Sequence, residues 1–371
     1  MGFKIITARI DSEQSLSDMI KERVQCAVCD RICGIVFYGT SDNKEYRDLL
    51  TTIKSAVCQS TGRNIPITLV PQVLLPKGGL RMEIYTLDSN DKITFGNIRG
   101  VSYGVIENNS ESIIFIEGIV ASNFEHSVES QSREVFSKLD NILSVHDFTV
   151  NDIVRQWNYI GDIVGSRAGK QNYQEFNDAR TAYYSSGCWQ NGYPAATGIG
   201  TSSDGIIVGA IAFKSSVGRG IYPIDNPLQV AAHIYSKDVL IDCHKDAIKS
   251  TPKFERAKVI ATSHGACCFV SGTAAIRGEQ SVCHTNATEQ TILTIENIAH
   301  LISKENLERF NCPPYTLQYQ QLQVFIKNAE DYAEVEAIVT KAYPELDVIY
   351  TVADVCRSEL LVEIEGILIS Q

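Results

Sequence analysis

Near the C-terminus two glutamates alternate with apolar residues in Leu361-Val362-Glu363-Ile364-Glu365. A carboxylic acid held beside an apolar neighbour such as Leu361 keeps its proton toward neutral pH, which is what a general acid needs. The same alternation also fits a strand whose glutamates face water, the commoner fate of strand glutamates. Cys356 stands seven residues ahead of Glu363, with Arg357 beside it. A thiol there is either part of a site or a small buried side chain. Other spacings point away from metal and nucleotide chemistry. Cys26-x-x-Cys29 with Cys33 has no second pair or histidine set to complete a metal site, and its i, i+3 step suits one buried helix face. Cys267-Cys268 lies in an apolar strand, and His264, His284 and His300 are dispersed. Gly198-Ile199-Gly200 lacks a third glycine and runs into a turn, Thr201-Ser202-Ser203-Asp204. Neither metal nor cofactor is expected.

Elements that would carry these residues recur along the chain. The last segment opens with the strand Ala266–Gly272, and its helix 289–302 places Ile292, Ile295, Ile298, Ala299 and Ile302 on one face. A strand at Leu322–Ile326, a helix at Ala329–Ala342 and strands at Val348–Val355 and Leu360–Leu368 follow. The middle segment repeats the order with Ser112–Gly118, the helix Ser130–Leu143, Val154–Ile160, Tyr193–Gly200 and Gly205–Phe213. Setting Phe115–Gly118 on Phe269–Gly272 gives an offset of 154, and Asn141-Ile142 on Asn297-Ile298 gives 156, which implies duplication. A shorter first segment holds Cys33–Gly39, a helix around Glu45–Cys58 and the phrase Leu74–Ile84. Aligning Ala210-Ile211 with Gly366-Ile367 places Ile207 opposite Glu363, so the middle unit lacks the acid; Glu83 is its candidate in the first unit. Asp88–Ile98 reads as a polar linker, and Ser215–Phe254, with Gly218, Gly220, Pro223, Pro227 and Pro252, as an irregular insertion long enough to need a functional reason. The units are 1–94, 95–214 and 255–371, with the insertion at 215–254.

Composition bounds the rest. The chain has 371 residues, 44% hydrophobic and 21% charged, so it folds around buried cores. With 33 Lys+Arg against 44 Asp+Glu, a net charge of −11 and no basic run, nucleic acid is not an expected partner. Apolar stretches such as Ser112–Gly118 are far shorter than the roughly 20 residues that span a bilayer, so no membrane partner is expected. The start, Met1 to Ile6, reads as a strand rather than a leader, with Ile6 where a myristoylation signal needs Ser or Thr. Eleven irregularly spaced cysteines argue for reduced thiols and a cytoplasmic location.

The element order, Phe269-Val270-Ser271-Gly272 and Val362-Glu363-Ile364-Glu365 resemble the trimeric YjgF/RidA group, whose ligand sites lie between neighbouring units. Six ordered blocks resemble the chorismatase family built on that fold: Trp157–Ile160, Tyr173–Arg180, Tyr193–Gly200, Asn226–Val230, Ser271–Ile276 and Cys356–Gly366. The resemblance implies an α/β (α+β) fold of tandem YjgF/RidA-like (chorismate mutase-like) units forming an intrachain pseudo-trimer, either monomeric or a homo-oligomer. It further implies a cofactor-independent enzyme that removes the enolpyruvyl group of chorismate, leaving pyruvate with 3-hydroxybenzoate or a dihydroxy-cyclohexadiene carboxylate.

On that resemblance Glu363 is the acid, and Cys356 marks the branch that forms 3-hydroxybenzoate. The two carboxylates of such a substrate call for fork-shaped cations. Arg180 comes first, then Arg357 and Arg155, each weighed against an ordinary ion pair. Tyr193 and Tyr235 would orient substrate hydroxyls or ring faces, unless they only pack between units. The chain departs from the family pattern at Gly278-Glu279-Gln280, Cys283, His284 and Asn286, and keeps one tyrosine in Ala231–Tyr235. Two further readings are a RidA-like imine deaminase, disfavoured because Tyr350 and Ala196 stand where that group has its arginine, and a noncatalytic small-metabolite sensor. The ribonuclease activity sometimes attached to this fold is disfavoured by the acidic charge.

Overall fold

The structure is a computed structural model that describes residues 3–10, 15–26, 31–39, 45–87, 91–167, 169–218, 220–236, 250–282 and 286–370. One four-stranded pattern occurs three times. In the first sheet the strands lie in the order Phe3–Ile10, Leu80–Leu87, Ile32–Gly39, Ile67–Pro71. The last two run parallel and their connection carries the helix Glu45–Thr61; the other pairs are antiparallel. The same order appears in the second sheet as Glu111–Val120, Ile206–Ser215, Ile153–Gly161, Ala195–Thr201, and in the third as Gly265–Ala274, Val362–Ser370, Leu317–Ile326, Ile349–Val352. Ala210 faces Ile116 as Gly366 faces Val270, so the registers reproduce the offsets of 156 and 154 read from the sequence. Parallel strands need a crossover of a dozen or more residues, which is why each copy alternates strands with helices.

Local chemistry explains the helices. Val128–Val145 starts where the Ser127 hydroxyl accepts from the amide of Ser130, and it buries Val135, Phe136, Leu139, Ile142 and Leu143. Ala287–Leu301 starts where the Asn286 side chain accepts from the amide of Glu289 at 2.9 Å, giving that departure from the family pattern a structural role. Cys29, Cys283 and His284 lie outside the described residues.

Three expectations are corrected. The stretch read as the linker Asp88–Ile98 contains an edge strand, Ile93–Ile98, turned back onto Val101–Glu107 through Arg99 and Gly100, which take φ of 52° and 83°. Those left-handed values make the two-residue turn that a hairpin's twist favours, which places residues 93–98 within the second sheet. The insertion is not wholly irregular, since Ile221–Ile224 pairs with Ala257–Thr262 at the edge of the third sheet. Finally, the block around Arg180 is a helix, Asn172–Tyr184, which the sequence reading left without an element.

The sheets interlock. Gln72 Nε2 donates to the carbonyl of Gly200 at 2.7 Å, the amide of Gly200 donates to the carbonyl of Asp354 at 2.9 Å, and Val73–Leu75 leaves the first unit to pair with Ile349–Val352. No helix among the described residues is long and apolar enough to cross a membrane.

Candidate active site

Where the second and third sheets meet, Ala196 and Gly198 of one face Gly272 and Ala274 of the other across a pocket. Polar links hold the seam. The Gly272 amide donates to Thr197 Oγ1 at 3.0 Å, and the Ala196 amide donates to Ser271 Oγ at 2.9 Å. The helix Asn172–Tyr184 closes one side with Tyr173, Gln174 and Asn177, and the insertion closes another with Tyr235, Pro252 and Phe254. Arg256, Cys356, Arg357, Leu360 and Glu363 complete the wall.

Glu363 sits in strand register opposite Ala274 and Phe325. It is 5% exposed and has no hydrogen-bond partner among the described residues. Burial and then the neighbouring Glu365 carboxylate push its pKa up to about 8, against the opposing pull of Arg256 and Arg155. A Cβ on Gly272 would collide with the Glu363 carboxyl, so glycine is needed there for the acid to lie flat across the strand. Ile207, opposite Val120, holds the matching place in the second sheet, in agreement with the loss of the acid there.

The cations are organised by Tyr235. Its ring lies 5.5 Å from the Arg256 guanidinium carbon and 5.3 Å from that of Arg357, and its hydroxyl accepts from Arg256 Nη2. Arg256 also donates to the Val230 carbonyl at 2.8 Å, and its Nε is buried without a partner. Arg357 Nη1 donates to the carbonyl of Glu279 and to Ser281 Oγ at 2.9 and 3.0 Å, while the Glu279 carboxylate accepts from the amide and hydroxyl of Ser236. Glu279 thereby ties the Tyr235 loop to the arginine. The Cys356 thiol is pushed up to about 12 by burial and by Glu363, so it is neutral and not a nucleophile near pH 7.

Of the residues chosen from sequence, Glu363, Cys356, Arg357 and Tyr235 share this pocket. Arg180 does not line it. Nearly fully buried, it donates to Asn177 Oδ1 at 2.6 Å and lies over the Phe176 ring, one layer behind the wall. Tyr193 also stands outside, half-buried among Tyr184, Trp189 and His233, with its amide donating to Glu255. Arg155 pairs with Glu365 at 2.7 Å, both 1% exposed, beneath the site. Glu83, the candidate acid of the first unit, lines none of the described pockets. It accepts hydrogen bonds from Gln321, Tyr38 and Tyr85 in the interior.

Sequence reasoning missed Arg256, Tyr173 and Asn177. Tyr173 and Asn177 stand four residues apart on one helix face inside a block already singled out. Arg256 stands two residues past the end of the insertion flagged as functional.

Buried carboxylates extend beyond the pocket. Burial pushes Glu83 up to about 7 and Glu117 up to about 8, although each accepts hydrogen bonds that favour its charged form. With Glu363 they hold protons more tightly in the folded chain than in the unfolded one, whose carboxyls titrate near pH 4.3. Stability is therefore fullest below that value and is lost as pH rises toward about 7 to 8. The expected result is a higher melting temperature at pH 6 than at pH 8.5, each tenfold in proton affinity counting about 1.4 kcal/mol, and a flatter profile for Glu117→Gln. An unchanged profile in the variant would exclude Glu117 as a source.

Within a mixed α/β fold of repeated sheets, this site pairs a buried acid with two guanidinium groups in a pocket between sheets. Residues 93–212 match the family described as chorismatase FkbO/Hyg5-like, N-terminal, and residues 245–369 match endoribonuclease L-PSP. The middle of the chain is thus similar to a chorismatase FkbO/Hyg5-like N-terminal domain and its last third to an L-PSP domain. The 3-hydroxybenzoate synthase of Streptomyces hygroscopicus is 33% identical over 60% of this chain and 65% of that protein. A chorismatase of Streptomyces rapamycinicus is 32% identical over 58% of this chain and 63% of that protein. The chain spans slightly less than two thirds of the length of these curated relatives. A chorismatase crystal structure shares the fold, with a TM-score of 0.72 at 20% identity over 99% of both chains.

Proposed function

We propose that the chain cleaves the enolpyruvyl ether of chorismate, giving pyruvate and either 3-hydroxybenzoate or a dihydroxy-cyclohexadiene carboxylate. The observation that carries this reading is a carboxyl without a hydrogen-bond partner among the described residues, its pKa pushed up to about 8, in one pocket with Arg256 and Arg357. Glu363 would deliver its proton to the vinyl CH₂, creating an oxocarbenium centre at the ether carbon. Water adds there, its spare proton returns to Glu363, and the hemiketal collapses to pyruvate and the ring hydroxyl. Loss of the neighbouring ring hydroxyl as water would then aromatise the ring. Arg256 and Arg357 suit the two substrate carboxylates, Tyr235 holds both cations in place, and Arg180 acts through Asn177 as a positioning residue. Cys356 would contribute a small neutral wall that selects between water and ring chemistry, with the 3-hydroxybenzoate branch favoured. Each step uses groups of the chain and water, so no cofactor is assigned.

We also propose that units 1–94, 95–214 and 255–371, with the insertion at 215–254, form a pseudo-trimer. Its support is the thrice-repeated strand order and a shared seam bond. The Gly118 amide donates to Thr68 Oγ1 between the first two sheets, as Gly272 does to Thr197 between the second and third.

Pyruvate released from chorismate by the pure protein, with the ring acid identified by chromatography, tests the function. Because the acid must be protonated, kcat/KM should be flat below about pH 8 and fall tenfold per pH unit above it. No pyruvate above the uncatalysed background would sink the reading.

A further inference from the structure

A second cavity lies where the helix Glu45–Thr61 meets the second sheet, and it shares no lining residue with the Glu363 pocket. Arg47 and Lys54 reach it from that helix, Arg99 from the hairpin turn, and Lys138 from Val128–Val145. Among the described residues no carboxylate lines it, in a chain whose acidic residues outnumber its basic ones by 44 to 33. Two of the four cations are already committed. Lys138 pairs with Glu134 at 2.7 Å and donates to the Val120 carbonyl, and Arg47 donates to the Ser122 carbonyl. Lys54 and Arg99 have no hydrogen-bond or ion-pair partner among the described residues.

Lys54 is also half-buried, and burial holds its pKa below the ordinary lysine value, a cost that a bound anion would relieve. The floor is apolar, with the rings of Tyr46 and Phe124 centred 6.2 Å apart and Leu50 and Val120 beside them. Phosphate would use the cations and leave this floor bare. The volume is about 220 Å³, and an apolar cavity of roughly 150 Å³ is enough for benzene. The space therefore suits one six-membered ring with a charged substituent.

We propose that this cavity binds a small ring carboxylate, its ring on Tyr46 and Phe124 and its carboxylate between Lys54 and Arg99. The site lies between different sheets from Glu363 and stands whether or not the Glu363 pocket turns over chorismate. The probe is 4-fluorobenzoate, titrated into the full chain by calorimetry and followed by fluorine NMR. Saturable binding is expected, with one component weakened at least tenfold in the Lys54→Met/Arg99→Ser variant and retained in Lys54→Arg/Arg99→Lys. Arg99 is exposed and half-buried Lys54 has no partner among the described residues to lose, so matching melting temperatures are expected for both variants. No saturable binding, equal binding by the double variant, or equal binding of neutral 4-fluorobenzyl alcohol would each overturn the proposal. Displacement by inorganic phosphate at equal concentration would show that the ring is irrelevant and overturn it as well.

Discussion

Replacing Glu363 with glutamine is expected to slow pyruvate release from chorismate by about 10² to 10⁴, the range a positioned general acid contributes, while leaving the fold intact. Glutamine matches the carboxylic acid in size but has no proton to deliver to the vinyl carbon. Among the described residues Glu363 has no hydrogen-bond partner whose loss would unfold the strand, and its removal relieves repulsion from Glu365. On the proposed reading KM should change little, because the pocket arginines Arg256 and Arg357 remain in place. The alkaline limb near pH 8 should vanish with the side chain. A rate within tenfold of the unmodified protein, at equal melting temperature, would remove Glu363 from the acid role.

Arg155→Ala carries the largest expected cost in stability, on the order of 3 to 5 kcal/mol, since it leaves a buried carboxylate without its counter-ion. Glu365 accepts from Arg155 at 2.7 Å and from Trp157 Nε1 at 3.1 Å, and the guanidinium also reaches Thr197 Oγ1, which holds the Gly272 seam. The substitution therefore strands a charge and loosens the wall of the candidate site together. The double variant Arg155→Met/Glu365→Leu should recover most of the loss, because neither charge is then buried. Denaturant unfolding of both proteins separates the terms. A loss below about 1 kcal/mol for Arg155→Ala would mean that water reaches Glu365 and that the pair is not sealed.

Strands, helices and their repetition were legible because their signals are local. The helix 287–301 exists where the isoleucine spacing put it, but its buried face is Thr291, Thr294, Asn297, Ile298 and Leu301, with Ile292 52% exposed, while the offsets of 154 and 156 follow from comparing such runs. The edge strand Ile93–Ile98 passed for a linker because Asp91, Lys92 and Asn97 give a half-exposed edge strand the polar composition of a connection between domains. Arg180 drew attention as an arginine in a resembling block, yet its helix carries it past the pocket and leaves Asn177 and Tyr173 at the wall. Residue type indicated a cation; helix phase and depth decided whether it faced the ligand. Tyr193 and Tyr235 looked equivalent in sequence, but only Tyr235 lies between the two pocket arginines.

By itself the sequence determined the repeated α/β unit, the acidic balance that disfavours nucleic acid, and Glu363 as the candidate acid by its resemblance. Only the tertiary structure decided what surrounds that acid. Arg155 and Glu365 are 210 positions apart, and Arg256 and Arg357 converge on Tyr235 from separate segments. Periodicity is set within a few residues by the geometry of one helix or strand. The pKa of a buried carboxyl is set by burial and by the charges near it, and for Glu363 only Glu365 is a sequence neighbour, while the burial and the opposing Arg256 and Arg155 come from distant segments that no local pattern records.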